Sequence, residues 1–104
     1  MAKLMWTERA ICSLESIHDY IAHDSIQYAN YQTHKIIESL EHLTTFPESG
    51  KLMPEFRQSS YRQVIAGTYR IIYRFDQSKN IIYIINIVHG SRLITDAYIV
   101  EPKD

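Results

Sequence analysis

Arg62, Arg70, His89 and Arg92 stand in the C-terminal half of a 104-residue chain. Guanidinium groups bind anions through paired N–H donors, and an imidazole that titrates near neutrality can move a proton or meet a partner. What they can do together depends on which face of a sheet they share. If Gly67-Thr68 is a two-residue hairpin loop, Ile65 lies opposite Arg70. Alternation then places Gln63, Ile65, Arg70, Ile72 and Arg74 on one face, two of the five cationic. On such a face Arg70 can contact a phosphate or pair across strands with Asp or Glu. His89, at a strand end before Gly90, can act as acid, base or partner contact, or can satisfy the backbone of its own loop.

Other constellations are weaker. His18, His23, His34 and His42 lack the four-residue register that would hold a metal on one helix face, and read as surface residues. Glu38, Glu41 and Glu48 surround an apolar stripe, which is the pattern of solvated helix charges. No nucleophilic triad order, phosphate loop or dinucleotide glycine pattern occurs, so neither metal nor cofactor is expected. Cys12 stands alone, expected as a small buried side chain in a reducing compartment. Tyr28, Tyr31, Tyr61, Tyr69, Tyr73, Tyr83 and Tyr98 suit positions with one apolar and one wet end, at the core edge or on a docking surface.

The totals bound the class. A hydrophobic content of 45% suffices for one modest core, and the expectation is one domain over residues 1–104 with an unassigned tail from 91. Eleven Lys+Arg against twelve Asp+Glu give a formal net charge of -1, which disfavours direct binding along nucleic acid, though not a local basic face. The N-terminus lacks a signal-peptide core and no run reaches membrane-spanning length, so a cytoplasmic protein away from membranes is expected.

The elements follow from periodicity. Lys3 to Trp6 suits a strand, and Thr7 caps a helix whose stripe is Ala10, Leu14, Ile17 and Ile21, ending near Asp24. Asp24 or Ser25 caps a second helix with Ala29, Thr33, Ile36, Leu40 and Leu43 as its stripe, closed by Phe46-Pro47. The short link makes an antiparallel hairpin. Pro47 to Ser60 reads as a loop that carries Leu52, Met53 and Phe56 onto the core. Strands at Tyr61 to Ala66 and Tyr69 to Asp76 flank Gly67-Thr68, and the doubly apolar run Ile81 to Val88 is a central strand. This is an α+β arrangement: an N-terminal strand and a helical hairpin packed on a mainly antiparallel sheet whose last three strands form a meander.

The block Arg62-Gln63-Val64-Ile65-Ala66-Gly67-Thr68-Tyr69-Arg70-Ile71-Ile72-Tyr73-Arg74, followed by Ile87-Val88-His89-Gly90-Ser91-Arg92, resembles the C-terminal half of ParE-type toxins of the ParE/RelE superfamily. With the helical hairpin and its following loop, the likeness spans roughly residues 3 to 94. Gln63 departs from the Glu often found there, and residues 93–104 match no pattern of the family.

The resemblance implies the toxin of a type II toxin-antitoxin system, the plasmid-stabilisation type. It is expected to bind DNA gyrase, trap its cleaved DNA complex and arrest growth without catalytic residues. A cognate antitoxin, partly disordered alone, would fold along it in a hetero-oligomer. Arg62, Arg70, His89 and Arg92 are then the target-binding candidates, and Trp6, Ile11 and Leu14 face the antitoxin. The alternative is a RelE-like ribosome-dependent endoribonuclease, in which the 2′-hydroxyl attacks the adjacent phosphate. Arg70, Arg92 and Tyr98 match its phosphate ligands and catalytic Tyr, yet Gln63 and Ile65 stand where that branch carries cations. A third reading is a degenerate, non-toxic family member.

Overall fold

The computed structural model describes residues 1–56 and 60–101, with Phe56 represented by its backbone. Strand β1 (Lys3–Trp6) leads into helix α1 (Glu8–Ala22) and helix α2 (Ile26–Thr45). Strands β2 (Lys51–Leu52), β3 (Tyr61–Ala66), β4 (Tyr69–Asp76) and β5 (Ile81–His89) follow, with short 3-10 turns at Pro54–Phe56 and Asp96–Tyr98. No helix of the described residues is long and apolar enough to cross a membrane.

Both helices start where a side-chain oxygen can take an orphan backbone N–H. Thr7 Oγ1 accepts from Ala10 N and also donates to the Ile84 carbonyl at 2.7 Å, so the cap ties α1 to the sheet. Ser25, rather than Asp24, caps α2 by accepting from Tyr28 N. The strand order is β1-β5-β4-β3-β2, with β1 parallel to β5 and the other neighbours antiparallel. Gly67 takes φ +63° in the β3–β4 turn, a conformation that costs glycine little, and Ile65 does lie opposite Arg70.

The sheet is covered on both faces. Ile36, Leu40 and Leu43 of α2 meet Ile71, Tyr73, Ile82 and Ile84 beneath the helices. Each fully buried aliphatic side chain here contributes about 1.5–3 kcal/mol. On the opposite face Met53, Ile72, Ile85, Val88 and Ile94 form a second cluster, flanked by Tyr61, Tyr83, Tyr98 and Ile99. The C-terminal segment, without assignment in the sequence, is therefore a cover for the sheet face away from the helices.

Several expectations need correction. Cys12 is exposed, because it lies on the side of α1 turned from Ala10. Gln32 is fully buried beside the half-buried Thr33 of the α2 stripe, and its amide donates to the Ala66 carbonyl at 3.0 Å. Residues 51 and 52 add a two-residue edge strand inside the presumed loop. Of the three residues expected to reach the core, Met53 is buried and Leu52 points to solvent at 57% exposure. The side chain of Phe56 falls outside the described residues.

Candidate functional site

The face carrying Gln63, Arg70 and Arg74 is neutralised from within. Arg70 Nε donates to Gln63 Oε1 at 2.6 Å, and its Nη2 donates to Glu55 Oε2 at 2.9 Å. The Arg70 side chain is only 13% exposed, and its hydrogen bond holds the Glu55 carboxyl below the usual carboxylate range. Arg74 donates twice to Glu101 Oε1, at 3.0 and 2.8 Å, and packs over the Tyr83 ring. Burial alone would raise Glu101, yet the Arg74 and Tyr61 hydrogen bonds outweigh it and leave the carboxyl lowered. Tyr61 donates to the other Glu101 oxygen. Burial, reinforced by that bond, pushes the phenol up to about 12. The cross-strand reading of Arg70 thus gives way to a pair with a loop carboxylate, and no free cation remains at either described arginine of this face.

The four expected target-binding residues do not form one surface. Arg62 pairs with Tyr73 across the ladder, on the opposite side of the pleat from Gln63, and donates to the carbonyls of Glu48 and Gly50. It clamps the α2–β2 loop, as does Tyr73, whose hydroxyl donates to Pro47 O and accepts from Gly50 N. His89 sits beside Tyr69, ring edge to face, and its Nδ1 is within hydrogen-bond distance of both Ser91 Oγ and Ser91 N. The loop-backbone role anticipated for His89 is therefore present in the geometry.

Arg92, His89 and Tyr98 do come together. They line a pocket of about 980 Å³ between the outward side of α1 and the end of β5, shared with Arg9, Ser13 and Asn86. A bulge builds this corner: Ile72 pairs with Asn86 and Tyr73 with Ile84, leaving Ile85 extra. Asn86, 1% exposed, sits where the alternation restarts, between α1 and the C-terminal segment. Its Oδ1 accepts from Ser13 Oγ at 2.6 Å and from Ile87 N, while its Nδ2 donates to the Tyr98 carbonyl at 2.9 Å. One buried amide thus fixes helix, strand and C-terminal segment around the pocket.

The antitoxin-facing expectations divide similarly. Ile11 is 43% exposed on α1, whereas Trp6 and Leu14 are half-buried and pack on the helix-side core. Arg9, Ser13, Glu55 and Glu101 were not singled out by the sequence, and no motif marks them. Asn86 did leave a signal, as the one polar residue in an apolar strand. Among the described residues no histidine, cysteine and carboxylate cluster could hold a metal.

Residues 4–94 match the family described as the ParE toxin of type II toxin-antitoxin systems, parDE. The chain belongs to the ParE toxin family. It is also similar to the toxin RelE2 of Caulobacter vibrioides, 28% identical over 93 residues, covering 89% of this chain and all of the relative. Among solved structures it resembles the chromosomal ParDE system of P. aeruginosa, with TM-score 0.69 and 22% identity over 86% of this chain and 96% of that one. The intact E. coli RelBE complex gives TM-score 0.63 and 16% identity, with 88% and 100% covered. At these identities the structural likenesses establish the fold. This ParE-family chain is a toxin of a type II toxin-antitoxin system, and the two solved structures named above come from toxin-antitoxin systems.

Proposed function

We propose that this toxin arrests growth in the cytoplasm by gripping DNA gyrase, and that its cognate antitoxin silences it by direct binding. The observation that carries the reading is the internal pairing of Arg70 with Glu55 and of Arg74 with Glu101. A developing phosphorane oxyanion needs cations already aimed at it and unspent on other anions. Here the neighbouring positions, Gln63 and Ile65, add no positive charge, while Glu55 and Glu101 add negative charge. Protein binding makes no such demand, and a formal net charge of -1 suits it. His89 and Arg92 are the target-facing pair of this reading, Arg62 and Arg70 being satisfied within the fold. Ile11, on the exposed side of α1, is its antitoxin-facing residue.

The ribosome-dependent endoribonuclease stands second, because Arg92 and Tyr98 line one pocket. Inducing the chain in cells with and without its antitoxin separates the two. Gyrase poisoning gives DNA breakage with filamentation, suppressed by the antitoxin. Cleavage of messages within translated reading frames, with intact DNA, would overturn the gyrase reading, and unimpaired growth would mark a non-toxic copy.

A further inference from the structure

The sequence carries six arginines. Arg57 lies outside the described residues. Arg70 and Arg74 hold carboxylates, and Arg62 holds two backbone carbonyls. The remaining two, Arg9 and Arg92, are exposed, and among the described residues neither is paired with a carboxylate. Although 83 positions separate them in sequence, both line the same pocket, and His89 lines it with them.

The lining has a chemical character. Among the described residues it contains no Asp or Glu, and beside the cations it offers the Ser16 hydroxyl together with apolar surface from Ile17, Tyr20, Ile87 and Val88. Such a pocket receives an anionic group attached to an apolar body. The surroundings choose which anion. Glu8, Glu15, Asp19 and Asp96 are exposed on α1 and on the C-terminal turn without lining the pocket. A run of phosphates would meet these carboxylates, whereas a single carboxylate can reach the guanidinium forks and leave them at a distance.

We infer that this pocket anchors the antitoxin: an apolar side chain enters against Ile17, Tyr20 and Ile87, and an Asp or Glu beside it is received by Arg9 and Arg92. The inference rests on the reading of the chain as a toxin with a cognate antitoxin, and adds the location and chemistry of the contact. A segment that orders on binding loses conformational entropy along its length, so its affinity concentrates in a few buried anchors. The same occupant would cover His89 and Arg92, the proposed target-facing pair, and silence the toxin by occlusion.

The test uses the full chain and its antitoxin, the probe being the product of the adjoining reading frame purified from the co-expressed complex. Affinity is measured at low and high salt. Replacing both cations by Arg9→Gln and Arg92→Gln is expected to weaken binding about tenfold or more at low salt, with a smaller loss at high salt. Ser16→Trp, which fills the pocket at unchanged charge, weakens binding too. Lys51→Gln with Lys79→Gln removes the same charge from exposed sites elsewhere and leaves affinity unchanged. Melting temperatures confirm that all variants fold. If the wild-type complex forms and the pocket variants bind as tightly, the anchor is refuted and the antitoxin reading survives. If folded wild-type chain binds no antitoxin, both fall. If the paired substitutions instead abolish capture of a labelled single-stranded RNA and spare the antitoxin, the occupant is nucleic acid and the proposal is wrong.

Discussion

Removing the Glu101 carboxylate should loosen the C-terminal cover by a measurable amount. In Glu101→Ala the two Arg74 N–H donors at 3.0 and 2.8 Å and the Tyr61 hydroxyl lose their acceptor together. The Arg74 and Glu101 side chains are 28% and 25% exposed, so the pair is neither a surface bridge nor a sealed one. Exposed pairs contribute about 0.2–1 kcal/mol, and breaking a buried one costs about 3–5 kcal/mol. Arg74 keeps partial access to water and its stacking on Tyr83, which places the loss near the lower bound, at about 1–2 kcal/mol. For a chain of this size that corresponds to a fall in melting temperature of about 5–10 °C. A double-mutant cycle with Arg74→Met, which keeps the aliphatic stem over Tyr83, isolates the pair, and its coupling should approach about 1 kcal/mol. A coupling below about 0.3 kcal/mol would mean that the segment is held by Ile94, Tyr98, Ile99 and the hydrogen bonds from Asn86 and Tyr61 without the Arg74 ion pair, and the electrostatic account of the cover would be wrong.

Two further outcomes follow from buried polar groups. Tyr73→Phe deletes a fully buried hydroxyl that serves Pro47 O at 2.8 Å and Gly50 N at 2.9 Å, so the urea midpoint should fall by the equivalent of about 2–3 kcal/mol with an unchanged slope; an unaltered midpoint would show that the loop finds other partners. Stability should also bend with pH at both ends. Glu55 and Glu101 are lowered in the folded chain, so their contribution is complete above the ordinary carboxylate pKa of about 4.3 and disappears as pH falls through the lowered values. The raised phenol of Tyr61 works with the opposite sign: its contribution is complete below the ordinary tyrosine pKa of about 10 and is lost as pH rises through about 12. Denaturant titrations of wild type and Glu101→Ala across the acid range check this, because an identical acid slope in the two would remove Glu101 from the account.

The meander and the helical hairpin were legible because each rests on local rules. A capping hydroxyl at Thr7 and at Ser25, a glycine at the β3–β4 turn and a doubly apolar run at Ile81 to Val88 each act within a few residues of themselves. The polar face was legible only as an alternation. Alternation placed Gln63 and Arg70 correctly together, and the same rule separates Arg62 from them, which the grouping of four target residues overlooked. What local rules do not encode is closure over distance. Glu55 comes from a loop to meet Arg70, Glu101 from beyond the last strand to meet Arg74, and Arg9 from the first helix to meet Arg92's pocket. The bulge at Ile85 was hidden for another reason: a run apolar on both faces gives no sign of the residue at which its parity changes, and Asn86 marks the place only as a polar residue. Cys12 failed because residue type was weighed above helix register, and Ala10 had already fixed which side of α1 faces inward.

Closure by the tail also limits where a partner can bind. A sheet with one bare apolar face would offer an obvious landing surface, but here both faces are covered, by the hairpin and by the segment carrying Ile94, Tyr98 and Ile99. Of the two edges, β2 offers two residues, and β1 offers four, exposed Met5 among them. A strand edge supplies main-chain hydrogen bonds that any extended peptide can accept, so by itself it cannot tell one antitoxin from another. Discrimination must come from side chains beside that edge. On α1, which follows β1 directly, Ile11 faces solvent and Arg9 faces the pocket that Arg92 closes from the far end of the chain. An antitoxin segment that begins on the generic edge and ends in this cationic corner would gain affinity from the first and specificity from the second.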